Sequence, residues 1–235
     1  DGNLFVVFAN KGKIWIAYSL DSGDTWEYPT QVKDPSAPSN PTFVQKSPSV
    51  ASNGNYAVVA FQSDPDYVQA SYFTRATVPT IGGSMNFDDL KLFSHPVLQG
   101  STPDGYNPRL TGTSTFHGIY WDFSVEPSGF RNNEDLLSDR PGESYTRSSD
   151  NGVSFSIAGK ARIVVNNSQS NGWHSTPDIS IGTGGQIGVA WYDYTLGMKQ
   201  PSVFVSTSSD GTTWSKPDRV TNFHPDDYIC DIKTG

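Results

Sequence analysis

The feature that most constrains this chain is a short turn motif written three times. Ser19-Leu20-Asp21-Ser22-Gly23-Asp24-Thr25-Trp26 reads S-x-D-x-G-x-T-W, and Ser148-Ser149-Asp150-Asn151-Gly152-Val153-Ser154-Phe155 reads S-x-D-x-G-x-S-F. Ser208-Ser209-Asp210-Gly211-Thr212-Thr213-Trp214 repeats the idea with one residue deleted before the glycine. Asp and Ser side chains hydrogen-bond nearby backbone groups, and Gly supplies the positive φ that other residues resist. The motif is therefore a turn, and the aromatic that closes it starts the next strand. Trp26, Phe155 and Trp214 are expected to be buried beside their turns.

The flanks repeat as well. Alternating apolar residues precede the turns, as in Ile14-Trp15-Ile16-Ala17-Tyr18 and Val203-Phe204-Val205, and short strands follow, as in Trp26 to Val32 and Trp214 to Val220. Phe87 to Phe93 has the same spacing in a unit whose turn motif has decayed. Pro48-Ser49-Val50 runs to Val58-Val59-Ala60-Phe61, Pro108-Arg109-Leu110 to Gly118-Ile119-Tyr120-Trp121, and Pro177-Asp178-Ile179 to Gly188-Val189-Ala190-Trp191. Turns at Asn53-Gly54-Asn55, Thr113-Ser114 and Gly184-Gly185 make each of these a hairpin. The unit is four antiparallel strands with the Asp turn between the third and the fourth.

These turns resemble the Asp-box, or BNR, repeats of the sialidase-like β-propellers. The resemblance implies an all-β propeller of four-stranded antiparallel blades, with Ser19, Asp21, Gly23, Trp26, Ser148, Asp150, Gly152, Phe155, Ser208, Asp210, Gly211 and Trp214 as structural residues at the outer edge. The chain finishes Ile232-Lys233-Thr234-Gly235 and opens Asp1-Gly2-Asn3-Leu4-Phe5-Val6-Val7-Phe8, which joined end to start matches Val50 to Phe61. That match predicts one domain over 1–235 with four blades, at about 226–235 plus 1–33, 46–95, 104–165 and 173–223. Ile232 would pair beside Phe5 and Val7, leaving no open sheet edge. A true sialidase usually has six blades, so the alternative is an excerpt of a larger propeller.

Composition agrees with many short strands. Aromatic residues reach 13%, charged residues only 17%, and there are 22 Gly and 16 Pro. Helical turns are conceivable only near Asn86–Phe93 and Arg131–Asp139. A net charge of −8 argues against a nucleic-acid partner, and no apolar run is long enough to span a bilayer. Cys230 is the single cysteine, so no intrachain disulfide can form. One sequon, Asn166-Asn167-Ser168, is compatible with an extracellular or cell-surface location.

A propeller's ligand usually sits at the channel mouth, opposite the Asp turns. The loops expected there carry Asp104 to Arg109, Trp173-His174, His224 to Tyr228, Asp64-Pro65-Asp66-Tyr67, Asp122-Phe123 and Tyr192-Asp193-Tyr194. Aromatic faces, carboxylates and arginine are the groups that hold sugars. Arg109, Asp122, Trp173, His174, Asp193 and Tyr228 are the candidate ligand-binding residues, although Asp and Asn are also ordinary turn formers. The Asp64/Asp66 and Asp226/Asp227 pairs could offer oxygen to Ca²⁺ without a recognisable loop motif, and no transition metal or other cofactor is assigned. The longest loop, Asp122 to Arg147, is placed to cover the mouth.

Resemblance to sialidases implies a Y/F-R-I-P-type motif, three arginines gripping the substrate carboxylate, and a Tyr–Glu nucleophile with a separate acid. The first is absent; Tyr106-Asn107-Pro108-Arg109-Leu110 is only a loose echo. The seven arginines, Arg75, Arg109, Arg131, Arg140, Arg147, Arg162 and Arg219, are scattered. The leading expectation is a non-catalytic extracellular propeller that binds a glycan or protein or builds a larger assembly. The alternative is an exo-acting glycoside hydrolase with Asp122 and Asp193 as its carboxylate pair and Arg109 as a substrate clamp.

Overall fold

The computed structural model describes residues 2–32, 44–64, 70–93, 105–122, 142–156, 163–167, 174–193 and 202–221. Within them every regular element is a strand, and all pairing is antiparallel. Sheet 1 holds β1 (Leu4–Asn10), β2 (Lys13–Ser19) and β3 (Thr30–Gln31). Sheet 2 holds β4 (Val44–Ser52), β5 (Tyr56–Asp64), β6 (Ala70–Thr77) and β7 (Lys91–Leu92). Sheet 3 runs β8 (Gly105–Gly112), β9 (Phe116–Asp122), β10 (Gly142–Ser148), β11 (Ile163–Asn167). Sheet 4 runs β12 (His174–Ile181), β13 (Ile187–Asp193), β14 (Ser202–Ser208), β15 (Asp218–Arg219). Each is a meander, as the repeated hairpins predict, and each is a propeller blade.

The blades stack face to face through three apolar cores. Ile14, Ile16 and Tyr18 of sheet 1 meet Ala57, Val59 and Phe61 of sheet 2. On the far side of sheet 2, Val58, Ala60, Phe73 and Phe93 meet Leu110, Phe116 and Tyr120 of sheet 3. Ile119 and Tyr145 then meet Ile179, Ile187, Val189 and Trp191 of sheet 4. Period-two alternation is what lets β5 and β9 serve two cores at once. Burying each large side chain is worth about 1.5–3 kcal/mol, and that is what holds sheet to sheet. Gly118 belongs to this packing: a Cβ there would run into the Phe93 ring, which lies edge-on to Tyr120 at 5.6 Å.

Sheet 1 has three described strands, and its Asp turn follows β2, whereas in sheets 3 and 4 it follows the third strand. β2 therefore corresponds to β10 and β14, and β1 to β9 and β13. The inner strand expected from Cys230–Gly235 lies outside the described residues, as does the segment Arg131–Asp139. Two expectations are corrected. Asn86–Phe93 is not helical: Phe87 bridges to Ala76, and Lys91–Leu92 pairs with β6, because the segment's backbone goes to sheet 2 instead. The loop drawn from Asp122 to Arg147 ends earlier, since Gly142 to Ser148 pairs along all of β9.

Candidate functional site

The Asp turns form as their residues dictate. In the first, Ser19 Oγ donates to Asp21 Oδ1 at 2.7 Å and accepts from the Gly23 N–H at 2.8 Å. Asp21 in turn accepts from the Thr25 N–H at 2.9 Å and from its hydroxyl at 2.5 Å. Ser148, Asp150, Gly152 and Ser154 reproduce the same four bonds. The shortened third turn keeps the Ser208-to-Gly211 bond at 2.8 Å, and Asp210 takes the N–H groups of Thr212 and Thr213 at 2.7 and 2.8 Å. Gly23, Gly152 and Gly211 have φ of 100°, 81° and 71°, the left-handed values the motif requires.

Those bonds fix the chemistry of the acids. The Thr25 hydroxyl, followed by its N–H and the Ser19 hydroxyl, holds the Asp21 carboxyl down at about 2. Burial pushes Asp150 upward, but bonds from Ser148 and Ser154 more than offset it and leave it at about 2. Asp210 is lowered as well, chiefly by the Thr213 and Thr212 N–H groups. Each is an ionised acceptor committed to its turn, with no proton to give at neutral pH.

The opposite end of the sheets is built differently. Asp122 pairs with Gly105 on one side and Gly142 on the other, and Asp193 pairs with His174 and Ser202. The two aspartates thus occupy the same register position, at the ends of β9 and β13. The corresponding residue of sheet 2 is Ser63, opposite Gln45, and both are buried. Gln45 Oε1 there accepts the Ile14 N–H at 3.0 Å. At this register position the aspartates belong to sheets 3 and 4, while sheet 2 carries Asp64 one residue further on, opposite Val44. Trp173 and Tyr228 lie outside the described residues, as do Asp66, Asp226, Asp227 and His224. Among the described residues no group of three or more His, Cys, Asp or Glu could hold a metal ion.

Sequence reasoning overlooked a repeated backbone device at this end. Each described inner strand shifts register around an X-Pro pair, between Lys46 and Ser49, Tyr106 and Arg109, and Ser175 and Asp178. The residues before the prolines, Ser47, Asn107 and Thr176, have φ of 52°, 48° and 52°. Left-handed backbone is uncommon for non-glycine residues and unusual for a β-branched one, and it is held here by the bulge. Ser47 Oγ donates to Asn107 Oδ1 at 2.9 Å, tying one bulge to the next. Ser49 Oγ accepts the Leu110 N–H at 2.9 Å just below. Arg109 follows its bulge, half-buried, with its guanidinium donating to the Pro108 carbonyl at 3.0 Å. The signal was visible as Ser-Pro, Asn-Pro and Thr-Pro at one position of three repeats.

The box aromatics end in different places. Phe155 is buried between Phe73 and Phe93, at 4.8 and 5.0 Å between ring centroids, and half-buried Trp214 lies 5.1 Å from Tyr145. Both touch the preceding sheet. Trp26, expected in the core, is 47% exposed. Its motif is intact, but among the described residues no sheet precedes its own.

No family model matches the chain, and no curated protein matches its sequence. Solved structures do resemble it. The α-L-arabinanase of Penicillium chrysogenum, complexed with arabinobiose, is 13% identical with a TM-score of 0.55, over 92% of this chain and 63% of that one. The α-L-arabinofuranosidase of Fusarium graminearum is 12% identical with a TM-score of 0.59, over 93% and 63%. The sialidase of Trypanosoma rangeli is 13% identical with a TM-score of 0.56, over 94% and 36%. The chain thus spans less than two thirds of the length of these proteins, and the likeness is one of fold.

Proposed function

We propose that the chain is a carbohydrate-binding propeller module, non-catalytic and extracellular, whose ligand lies at the channel mouth beside sheets 3 and 4. The observation that carries the reading is the register match of Asp122 and Asp193, with His174 across from Asp193 and Arg109 just past a strained bulge. Carboxylates and a guanidinium at the end of adjacent blades suit a polyhydroxylated ligand, and strained backbone concentrates where ligands are held. Trp173 and Tyr228 would add stacking faces. The glycosidases among the similar folds support a sugar as the ligand class; a protein surface is the other partner this module fits. No helix among the described residues is long and apolar enough to cross a membrane.

A second reading is favoured by the same pair of aspartates: an exo-acting glycoside hydrolase. It requires the two carboxyls to face each other at roughly 5–10 Å. Calorimetric titration with arabino-oligosaccharides and sialosides, paired with product analysis, separates the two. The binding module predicts saturable binding without product, weakened at least about tenfold by Asp193→Asn, a loss of about 1.4 kcal/mol. Product formation abolished by Asp122→Asn or Asp193→Asn would establish the hydrolase. Absence of binding to every glycan tested would sink both.

A further inference from the structure

Three Asn-Gly pairs stand in the sequence. At such a pair glycine has no Cβ to keep its nitrogen away from the preceding carboxamide. Asn171-Gly172 lies outside the described residues; the other two meet across the seam between sheets 2 and 3. Asn53, in the turn between β4 and β5, donates from Nδ2 to Oδ1 of Asn151, in the second Asp turn, at 3.1 Å. The two asparagines are held differently. Asn53 Oδ1 accepts two backbone N–H groups, from Asn55 at 3.2 Å and from Tyr56 at 2.9 Å. Gly54 is half-buried, and its N–H donates to Ser52 Oγ at 3.1 Å. Asn151 is the more exposed side chain, and among the described residues its Oδ1 accepts only the Asn53 amide. Gly152 is buried, donates to Ser148 Oγ at 2.8 Å, and sits where a Cβ would run into Val58.

We infer that Asn53 is a spontaneous modification site of the folded chain, converting through a succinimide to aspartate and isoaspartate, while its Asp turn protects Asn151. The two N–H groups on Asn53 Oδ1 stabilise the negative charge that this oxygen gathers as the Gly54 nitrogen adds to Cγ. The N–Cγ bond forms, the Cγ–Nδ2 bond breaks, and Nδ2 leaves as ammonia with the Gly54 amide proton relayed by water. A second water opens the ring at either carbonyl, which leaves a carboxylate at position 53. The Gly54 bond to Ser52 lies in the peptide plane, whereas the attack uses the face of the nitrogen. At Asn151 the same attack would pull Gly152 from a buried bond and from its seat on Val58. The product at position 53 has no Nδ2 to donate, so the bond to Asn151 is lost. It also adds negative charge beside a turn that holds the ionised Asp150. Isoaspartate lengthens the backbone by one methylene, in a turn closed by the Asn53 N–H on the Tyr56 carbonyl at 3.1 Å. Chemical ageing of the described residues therefore starts at the seam of sheets 2 and 3. This inference stands apart from the mouth and does not depend on any glycan.

Peptide mapping by mass spectrometry tests it, on the full chain held native at mildly alkaline pH and on the same chain unfolded in urea. The two residues fall in different tryptic peptides, one between Lys46 and Arg75 and one between Arg147 and Lys160. In the native chain Asn53 should convert at least about tenfold faster than Asn151, since one oxyanion donor is worth more than that in an enclosed site. In urea both are plain Asn-Gly pairs and should convert at similar rates, Asn151 faster than in the native chain and Asn53 no faster. Asn53→Gln should remove the deamidation shift from its peptide, because the larger ring closes more slowly. Native rates that are equal, or that favour the more exposed Asn151, overturn the inference. So do an Asn53 that converts more slowly folded than unfolded, and a lead over Asn151 that persists unchanged in urea.

Discussion

Phe155 and Trp26 close the same motif, behind the same serine and aspartate bonds, yet one lies in a core and the other in solvent. Phe155 has sheet 2 in front of it; Trp26 has no described sheet. The turn and the burial are thus separable. A local pattern of Ser, Asp and Gly makes the turn by itself, whereas burial of the aromatic comes from the neighbouring repeat. In a repeat fold the blade is a local object and the core is a property of pairs.

The widest gap between the two regions should come from the aromatics. Phe155→Ala is expected to cost about 3–5 kcal/mol, as for large core aromatics, and Trp26→Ala less than about 1 kcal/mol, as at ordinary surface positions. Urea denaturation followed through each variant's midpoint measures both, and equal shifts would break the comparison.

Glycines at the turns should separate less widely. Alanine at Gly23 or Gly152 pays the left-handed φ, about 1–2 kcal/mol. At Gly152 the new Cβ also runs into Val58 of the preceding sheet, adding about 1–3 kcal/mol of overpacking. At Gly23 it meets only Leu4 of its own sheet, at 3.3 Å. Gly152→Ala should therefore lower the melting temperature more than Gly23→Ala does.

Smaller effects are expected from pH. His117 Nδ1 lies 2.6 Å from the Tyr145 hydroxyl at the junction of sheets 3 and 4. Burial, with the Arg147 charge behind it, lowers this imidazole to about 4. A neutral ring accepting at Nδ1 from Tyr145 satisfies both groups. With the folded pKa depressed, its contribution is fully present above about 6.5 and lost as pH falls toward 4. Stability measured across that window should fall in the wild type and flatten in His117→Gln. Asp21 and Asp150 act lower still: their contributions are present above about 3.9 and lost as pH falls through about 2. Asp21→Asn should remove part of that acid sensitivity.

The strands, hairpins and Asp turns were legible because each rests on residues close in sequence: Ser148 to Ser154, or Asn53 to Asn55 between β4 and β5. The even register of Asp122 and Asp193 was legible for the same reason, as both close a second strand. Trp26 was misplaced because its surroundings depend on which sheet precedes it, a fact absent from its own repeat. The bulges at Ser47, Asn107 and Thr176 went unread for a different reason. Sequence rules steer the residue before proline to extended backbone, and here the ladder of the neighbouring strand overrides them.

The central claim is that one row of the repeat is buried wherever a sheet precedes it and bare in sheet 1. Thiol labelling of Val6→Cys, Val59→Cys and Val189→Cys in a Cys230→Ser background, at dilute protein and under native conditions, measures it most directly. The account predicts rapid labelling at position 6, and labelling at 59 and 189 only as fast as the protein opens. Position 6 protected as well as the other two would contradict it.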